Sequence, residues 1–214
     1  MRPWIDALMV ALVLADLALL GSSRLRVWVR IVAAQGLLLG ILPVLAGNGD
    51  VTLRMFFLAT ASIGLRGVVF PRLLLRTLRQ ADVRREVEPY VGYTASLVFG
   101  FLALVASVWI DSRINLTDPA FSPLAGPVAI FTVFVGLFLI ISRKKAVSQV
   151  LGYLVMENGI YILGISLVTK VPMLVELGVL LDAFVAVFVM CIATYHISRE
   201  FDHIDVDQLD TLKG

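Results

Sequence analysis

The feature that most constrains this chain is the gathering of its apolar residues into seven blocks of 17–23 residues. A helix rises about 1.5 Å per residue, so each block can cross a hydrocarbon layer about 30 Å thick. Charged residues make up 16% of the chain, whereas soluble domains carry about a quarter. The pattern predicts an all-α, polytopic membrane protein with helices over residues 3–20, 30–46, 51–70, 91–110, 124–141, 146–168 and 173–195.

The connections between the blocks alternate in charge. Basic residues follow the first, third and fifth blocks, whereas the other connections, residues 47–50, 111–119 and 169–172, are acidic or nearly uncharged. Short basic loops stay on the cytoplasmic side of a membrane. The alternation therefore predicts seven helices, with the N-terminus outside and the C-terminus inside. The basic residues in question are Arg24, Arg26, Arg30, Arg72, Arg76, Arg79, Arg84, Arg85, Arg143, Lys144 and Lys145.

The composition excludes several kinds of site. Cys191 is the single cysteine, so the chain alone forms no disulfide and no cysteine-ligated metal centre. The first block is a poor cleavable signal peptide and is interpreted as a retained helix. The basic segment 71–89 has two interpretations: a helical extension lying in the headgroup zone, or a docking surface for a peripheral subunit. We divide the chain into a five-helix region (1–142), a two-helix hairpin (143–196) and a polar cytoplasmic tail (197–214).

Charged residues inside the blocks sort by depth. Arg66 lies about one turn from a predicted cytoplasmic helix end, which favours a side chain that reaches the headgroups. Asp16 lies deeper, and both an ion pair with Arg24 or Arg26 and a functional role remain open for it. The residues within about one turn of a helix end, which can also reach the headgroups, are Asp6, Arg54 and Glu176.

Glu157 and Asp182 cannot reach a headgroup. Glu157 lies about 16 Å of helix before Val168, and Asp182 about 13 Å after Met173. Only a short loop joins these two helices, so they are antiparallel neighbours and their carboxyl groups lie at a similar depth. A lone carboxylate at this depth costs about 2.5–3.5 kcal/mol, and such residues generally mark an ion or proton path.

A polar stripe with four-residue spacing runs along the sixth predicted helix and includes Glu157. Such a line can pass protons by hops between side chains and water, or it can serve as hydrogen-bonding glue between helices. A buried carboxyl loads or releases a proton as its hydration or a neighbour's charge changes. The members of the stripe are Gln149, Tyr153, Glu157 and Tyr161.

The segment SRKKAVSQVLGYLVMENGIYILG and the later segment VELGVLLDAFVAVFVMCIATYHI resemble the K-type subunit of respiratory complex I and the C subunit of Mrp-type antiporters. The last two helices of those short proteins each present a buried carboxylate to a proton path. Asp182 falls at the second carboxylate position. The first corresponds to Leu154, and Glu157 lies one turn later, with Asn158 aligned to an asparagine of that family.

The orders M-E-N-G (Met156–Gly159), L-L-D-x-x-V-A-V (Leu180–Val187) and F-D-x-x-D-x-x-x-L-x-x-L-K (Phe201–Lys213) are similar to those of the E component of hydrogenase-4. The members of that family are membrane subunits of formate hydrogenlyase-type complexes. Each consists of a K-like unit with extra N-terminal helices. The extra helices account for the first two-thirds of this chain.

The resemblance implies a non-catalytic subunit without cofactor or metal, in the inner (plasma) membrane of a prokaryote. Its partners would be antiporter-like and quinone-site-like membrane subunits and a cytoplasmic hydrogenase module, with no nucleic acid. Glu157 and Asp182 would join a lateral chain of carboxylates that couples electron transfer to proton or sodium movement. The proposed relay comprises Glu157, Asp182, Gln149, Tyr153, Asn158 and Tyr161, with Asp16, Arg66 and Glu176 as possible secondary members.

Other functions remain open. The chain could be the equivalent subunit of an Mrp-type antiporter or of another complex I-related machine. A stand-alone carrier is disfavoured because the chain shows no internal repeat and no matching pair of broken helices. A purely structural scaffold would tolerate removal of both buried acids, whereas a relay would not.

Overall fold

The computed structural model describes residues 3–46, 60, 63–80, 90–114 and 121–167, and the regular elements in these ranges are helical. A π-helical segment, Ile63–Val69, runs directly into the third α-helix. In chain order the α-helices are α1 (Pro3–Gly21), α2 (Leu25–Ala46), α3 (Phe70–Gln80), α4 (Tyr93–Ile114), α5 (Ala125–Ser142) and α6 (Ala146–Leu167).

Four of the described helices are long and apolar enough to cross a membrane, namely α1, the Leu25–Leu42 part of α2, α4 and α5. The predicted class of a multi-pass helical membrane protein is therefore confirmed. The count of seven and the orientation of the termini stay predictions, since the seventh predicted helix (173–195) and most of the third (51–70) lie outside the described residues.

The start of α2 differs most from its predicted boundary. The helix begins at Leu25, although the apolar block was predicted to begin at residue 30. Its first turns bury Leu25 and Trp28 while Arg26 and Arg30 are exposed, so the arginines occupy one face of an amphipathic start. An apolar-block criterion passes over such a start because it treats the arginines as an interruption.

The helical extension predicted after the third block is observed as far as Gln80, the end of α3. Phe70 and Leu74 of α3 are buried in the core, whereas Arg72 and Arg76 are exposed. The segment is thus held to the bundle by its apolar face and presents its basic face outward. Contact of that basic face with headgroups or with a peripheral subunit stays a prediction.

Glycines let α5 and α6 pack in close contact along their lengths. A Cβ atom added at Gly159 would lie 2.7 Å from Val133 Cγ2, and one at Gly152 would lie 2.9 Å from the backbone nitrogen of Ile140. Close approach of this kind through small residues is typical of membrane helix pairs. Helix α6, which carries Glu157, is therefore closely packed on α5.

Further contacts complete the bundle. Helix α1 packs against α2, α4 and α5, and α2 packs against α6 as well as the π-helical segment and α3. The buried apolar side chains form two clusters, one at each end of these helices. The first includes Leu19, Trp28 and Phe131, and the second includes Ile5, Leu42 and Ile162. The polar residues considered next lie between them.

Candidate functional site

Glu157 lies near the middle of α6 and is only 2% exposed. The position predicted by the K-type pattern, Leu154, is a buried apolar residue of the core. In this chain the carboxylate therefore lies one turn later along the helix than in that pattern, and position 154 is part of the packing. Glu157 is buried inside the helix bundle, and its depth in a membrane stays a prediction.

A second carboxylate, Asp16 of α1, is completely buried and accepts a hydrogen bond at each oxygen. Gln35 Nε2 of α2 donates to Asp16 Oδ1 at 2.7 Å, and Thr132 Oγ1 of α5 donates to Asp16 Oδ2 at 2.7 Å. Asn158 Nδ2 of α6 in turn donates to Gln35 Oε1 at 3.4 Å. The four side chains form one network, called here the Asp16 network, which ends next to Glu157 in sequence.

The Asp16 network removes one of the alternatives open at the sequence level. Arg24 and Arg26 are exposed, whereas both oxygens of the Asp16 carboxylate are occupied by neutral donors inside the bundle. An ion pair with either arginine is therefore not the arrangement found. Burial of a carboxylate costs free energy unless hydrogen bonds compensate, and here two side chains from different helices provide them.

The other members of the polar stripe have different surroundings. Gln149 Nε2 donates to the backbone carbonyl of Arg143 at 3.1 Å and so closes the turn between α5 and α6. Tyr153 packs against one core cluster and Tyr161 against the other. The stripe therefore runs from the α5–α6 turn past Glu157 into the far half of the bundle.

Sequence reasoning missed Gln35 and Thr132, which supply the hydrogen bonds to Asp16. A lone glutamine in the apolar stretch of α2 was a usable signal, because an amide at that depth needs a partner. Thr132 gave no such signal, since a threonine can satisfy its hydroxyl on its own helix. The pairing itself depends on which helices are neighbours.

Arg143 lies in the connection between α5 and α6, as predicted, but the burial of its side chain was not predicted. The side chain is fully buried where α5 ends. Its guanidinium stacks over the rings of Trp28 and Tyr93, with its Cζ 5.3 Å and 5.0 Å from the ring centroids, and lies 3.5 Å from the carbonyl of Leu20. The aromatic rings and carbonyls of several helix ends replace water around this cation.

The positions of the remaining predicted site residues relative to Glu157 and the Asp16 network are not described by the structure. Arg66 lies in the π-helical segment, and its side chain is outside what the structure describes. Asp182 and Glu176 lie outside the described residues. Within the described ranges, no group of three or more His, Cys, Asp or Glu residues is positioned to hold a metal ion.

A known family model matches the part of the sequence that contains α5 and α6. Residues 126–214 match the family model of NADH-ubiquinone/plastoquinone oxidoreductase chain 4L. The matched range begins in α5, earlier than the motifs from residue 143 onward, so it takes in α5, α6 and the predicted helix 173–195. Residues Glu157, Asn158 and Asp182 lie inside this range, whereas Asp16 and Gln35 lie outside it.

Individual relatives extend the similarity towards the N-terminus. The uncharacterized protein Rv0085 of Mycobacterium tuberculosis is 35% identical over 204 residues, which cover 94% of this chain and 92% of that protein. Hydrogenase-4 component E of Escherichia coli K12 is 30% identical over 149 residues, covering 67% of this chain and 69% of the relative. The component E of Shigella flexneri gives the same values. No solved structure matches the chain significantly.

Proposed function

The chain belongs to the family of hydrogenase-4 component E, and from that premise we propose that it is a non-catalytic proton-relay subunit of a hydrogenase-linked membrane complex. Its membership of this family and its similarity to chain 4L make it a membrane subunit of a complex I-related complex. The proposal goes further in giving it a hydrogenase partner module, antiporter-like neighbours and a place in the inner membrane of a prokaryote.

The observation that carries the proposal is the burial of Glu157 in the middle of α6, inside the helix bundle. An ionisable group at that depth is costly and generally marks a proton or ion path. We propose that Glu157 takes up a proton from one side of the path and passes it towards Asp182 on the next helix. Tyr153 and Tyr161 lie one turn before and one turn after it and can donate and accept hydrogen bonds along the stripe.

The two carboxylates would work as a pair. Protonation of one changes the electrostatic cost of ionising the other when they lie within several ångströms, so their titrations are coupled. A conformational or redox change elsewhere in the complex can then move a proton by altering the charge near either group. Electron transfer itself belongs to the partner module in this proposal.

The test uses the whole complex reconstituted in liposomes, with proton movement followed by a pH-sensitive dye and hydrogen turnover measured in parallel. We expect Glu157→Gln and Asp182→Asn each to lower proton movement by about tenfold or more, because an amide cannot hold or release the proton. Assembly should be unaffected, as judged by copurification of all subunits.

Asp111→Asn is the matched control, since it makes the same chemical change in the last turn of α4. It should keep proton movement at the parental level. Parental proton movement in both single amide variants and in their double would rule out the relay. Repeating the assay with and without sodium identifies the ion.

Copurification separates this proposal from the alternatives. A subunit of a hydrogenase-linked complex should purify with hydrogenase and antiporter-like chains, whereas an antiporter subunit should purify with antiporter-like chains alone. A stand-alone carrier would be active by itself in a vesicle. The division into a five-helix region, a K-type-like hairpin and a tail belongs to the same proposal.

A further inference from the structure

The Asp16 network links the two parts of the chain that the sequence separated. Asp16, Gln35 and Thr132 belong to α1, α2 and α5, and Asn158 belongs to α6, the helix that carries Glu157. Among the described residues, Asp16 and Glu157 are the two acids with buried side chains. The hydrogen bonds lead from Asp16 through Gln35 to Asn158, and Asn158 directly follows Glu157 in the sequence.

The hydrogen bonds of the network have a fixed direction. An ionised carboxylate only accepts hydrogen bonds, so Asp16 requires Gln35 to present its NH2 group. The oxygen of the Gln35 amide must then face the other way, where it accepts from Asn158. Asn158 in turn has its NH2 group directed at Gln35. The orientation of the Asn158 amide, adjacent to Glu157, is therefore set by a carboxylate two hydrogen bonds away.

Thr132 allows the carboxylate to change its charge without losing a partner. While Asp16 is ionised, the Thr132 hydroxyl donates to Oδ2. If Asp16 gains a proton on that oxygen, the same hydroxyl can accept the hydrogen bond and turn its own hydrogen to a carbonyl of its helix. Gln35 and Asn158, by contrast, are amides and do not exchange protons readily, so they transmit orientation and field instead of carrying the proton.

We propose that Asp16 is a protonatable positioning residue that acts through Gln35 and Asn158 on Glu157, and thereby brings the N-terminal helices into the proton path. This inference rests on the proposed relay function of Glu157. It gives the helices that precede the chain 4L match a role beyond anchoring, because α1 and α2 supply the charge and the link.

Among the described residues, few other charges face Asp16 from the elements packed around α1. Helix α5 carries no titratable residue, and the arginines of α2 are exposed at its first turns. Arg143 is the buried cation of the described ranges, and it contacts the carbonyl of Leu20, one turn beyond Asp16. The titratable groups of α4 lie near its ends and are Tyr93, Asp111 and Arg113. The titratable groups along α6 are Tyr153, Glu157 and Tyr161.

The test is the pH profile of proton movement in the reconstituted complex. Asp16→Asn removes the charge but keeps one acceptor for Gln35 and one polar group for Thr132, so it should assemble. We expect the pH of half-maximal proton movement to shift by about one unit, the size of coupling expected for interacting buried groups. Asp6→Asn is the matched control on the same helix, where the carboxylate accepts from Ser122 Oγ at 2.7 Å, and it should leave the profile unchanged.

Gln35→Leu tests the connection itself. It leaves Asp16 in place and breaks the link to Asn158, so it should produce the same shift as Asp16→Asn. The shift in the double variant should be no larger than the shift in either single variant, since both substitutions break the same link between Asp16 and Asn158. A parental profile in Asp16→Asn or in Gln35→Leu would overturn the inference, and so would fully additive shifts.

Infrared difference spectroscopy of the complex separates this inference from the relay proposal and covers any variant that fails to assemble. A carboxyl band that is lost in Asp16→Asn should titrate in the parent and shift in Glu157→Gln. If Glu157→Gln abolishes proton movement but the Asp16 band does not respond, only the present inference fails. If Glu157→Gln, Asp182→Asn and their double all keep parental proton movement while the band shifts in Glu157→Gln, the relay fails and the coupling stands.

Discussion

Arg143 is buried at the junction of helix ends, with an aromatic ring on each of two sides and backbone carbonyls around its nitrogens. Replacement by methionine keeps much of the apolar volume but removes the cation and its donors. We expect Arg143→Met to lower the free energy of unfolding of the full chain in detergent by about 2–4 kcal/mol. Trp28 lies against the guanidinium, so denaturant unfolding followed by tryptophan fluorescence measures the loss.

Lys144 provides the control for that measurement, because it is the next residue and is exposed, with its Nζ 5.2 Å from the centroid of the Tyr90 ring. Lys144→Met should cost less than about 1 kcal/mol, since an exposed cation–π contact contributes little. Equal losses in the two variants would mean that the burial of Arg143 contributes nothing to stability.

Single residues also show how far the sequence could lead. Glu157 was predictable as a buried carboxylate because depth along one helix follows from residue number alone. The partners of Asp16 were not, because they come from helices 2 and 5, and neighbour relations and helix rotation decide which side chains meet. The burial of Arg143 was not predictable, because the rule for basic loops counts charge without knowing that aromatic rings converge on the residue.

At the scale of elements, the seam between α5 and α6 depends on glycines. A Cβ atom at Gly159 would lie 2.7 Å from Val133 Cγ2 and 2.8 Å from the carbonyl oxygen of Ala129. The second of these is backbone and cannot rotate away, so Gly159→Ala should push the helices apart. We expect a destabilisation of about 1–3 kcal/mol, measured by denaturant unfolding in detergent, together with reduced proton movement because Asn158 and Glu157 shift with the helix.

Gly21 tests whether this effect belongs to the seam and not to glycine in general. At the end of α1 a Cβ atom would make an ordinary contact with Leu97 at 3.6 Å. Gly21→Ala should therefore be neutral or slightly stabilising, because alanine favours a helix more than glycine does. A loss in Gly159→Ala no larger than in Gly21→Ala would mean that α5 and α6 are not held as closely as described.

The elements themselves were largely predictable. The bounds of α1, α5 and α6 differ from the predicted blocks by no more than one residue at each end, because the length of an apolar block defines where such a helix begins and ends. The π-helical segment before α3 was not predicted, because a run of apolar residues does not distinguish a π-turn from an α-turn. The glycines of α6 alone do not predict the close seam, because the partner helix has to be known.

At the scale of the whole molecule, the described contacts sort the helix ends into two groups. Arg143 contacts the end of α1, the beginning of α2 and the beginning of α4. At the other end, Ser122 before α5 donates to Asp6 in the first turn of α1. Successive helices therefore alternate in direction, as the charge pattern requires. The arginines and lysines at the Arg143 end predict that this end faces the cytoplasm.

Labelling of single cysteines tests that orientation directly. In a Cys191→Ser background, Arg26→Cys marks the Arg143 end and Ser112→Cys marks the last turn of α4 at the opposite end, and both native side chains are exposed. A membrane-impermeant maleimide should label Ser112→Cys in intact spheroplasts and Arg26→Cys only in inverted vesicles. The exchanged pattern would reverse the predicted orientation, because the basic end would then face outward. If the impermeant maleimide labelled both cysteines from the same face, α4 would not cross the membrane. A permeant maleimide should label both cysteines in either preparation, which controls for their reactivity.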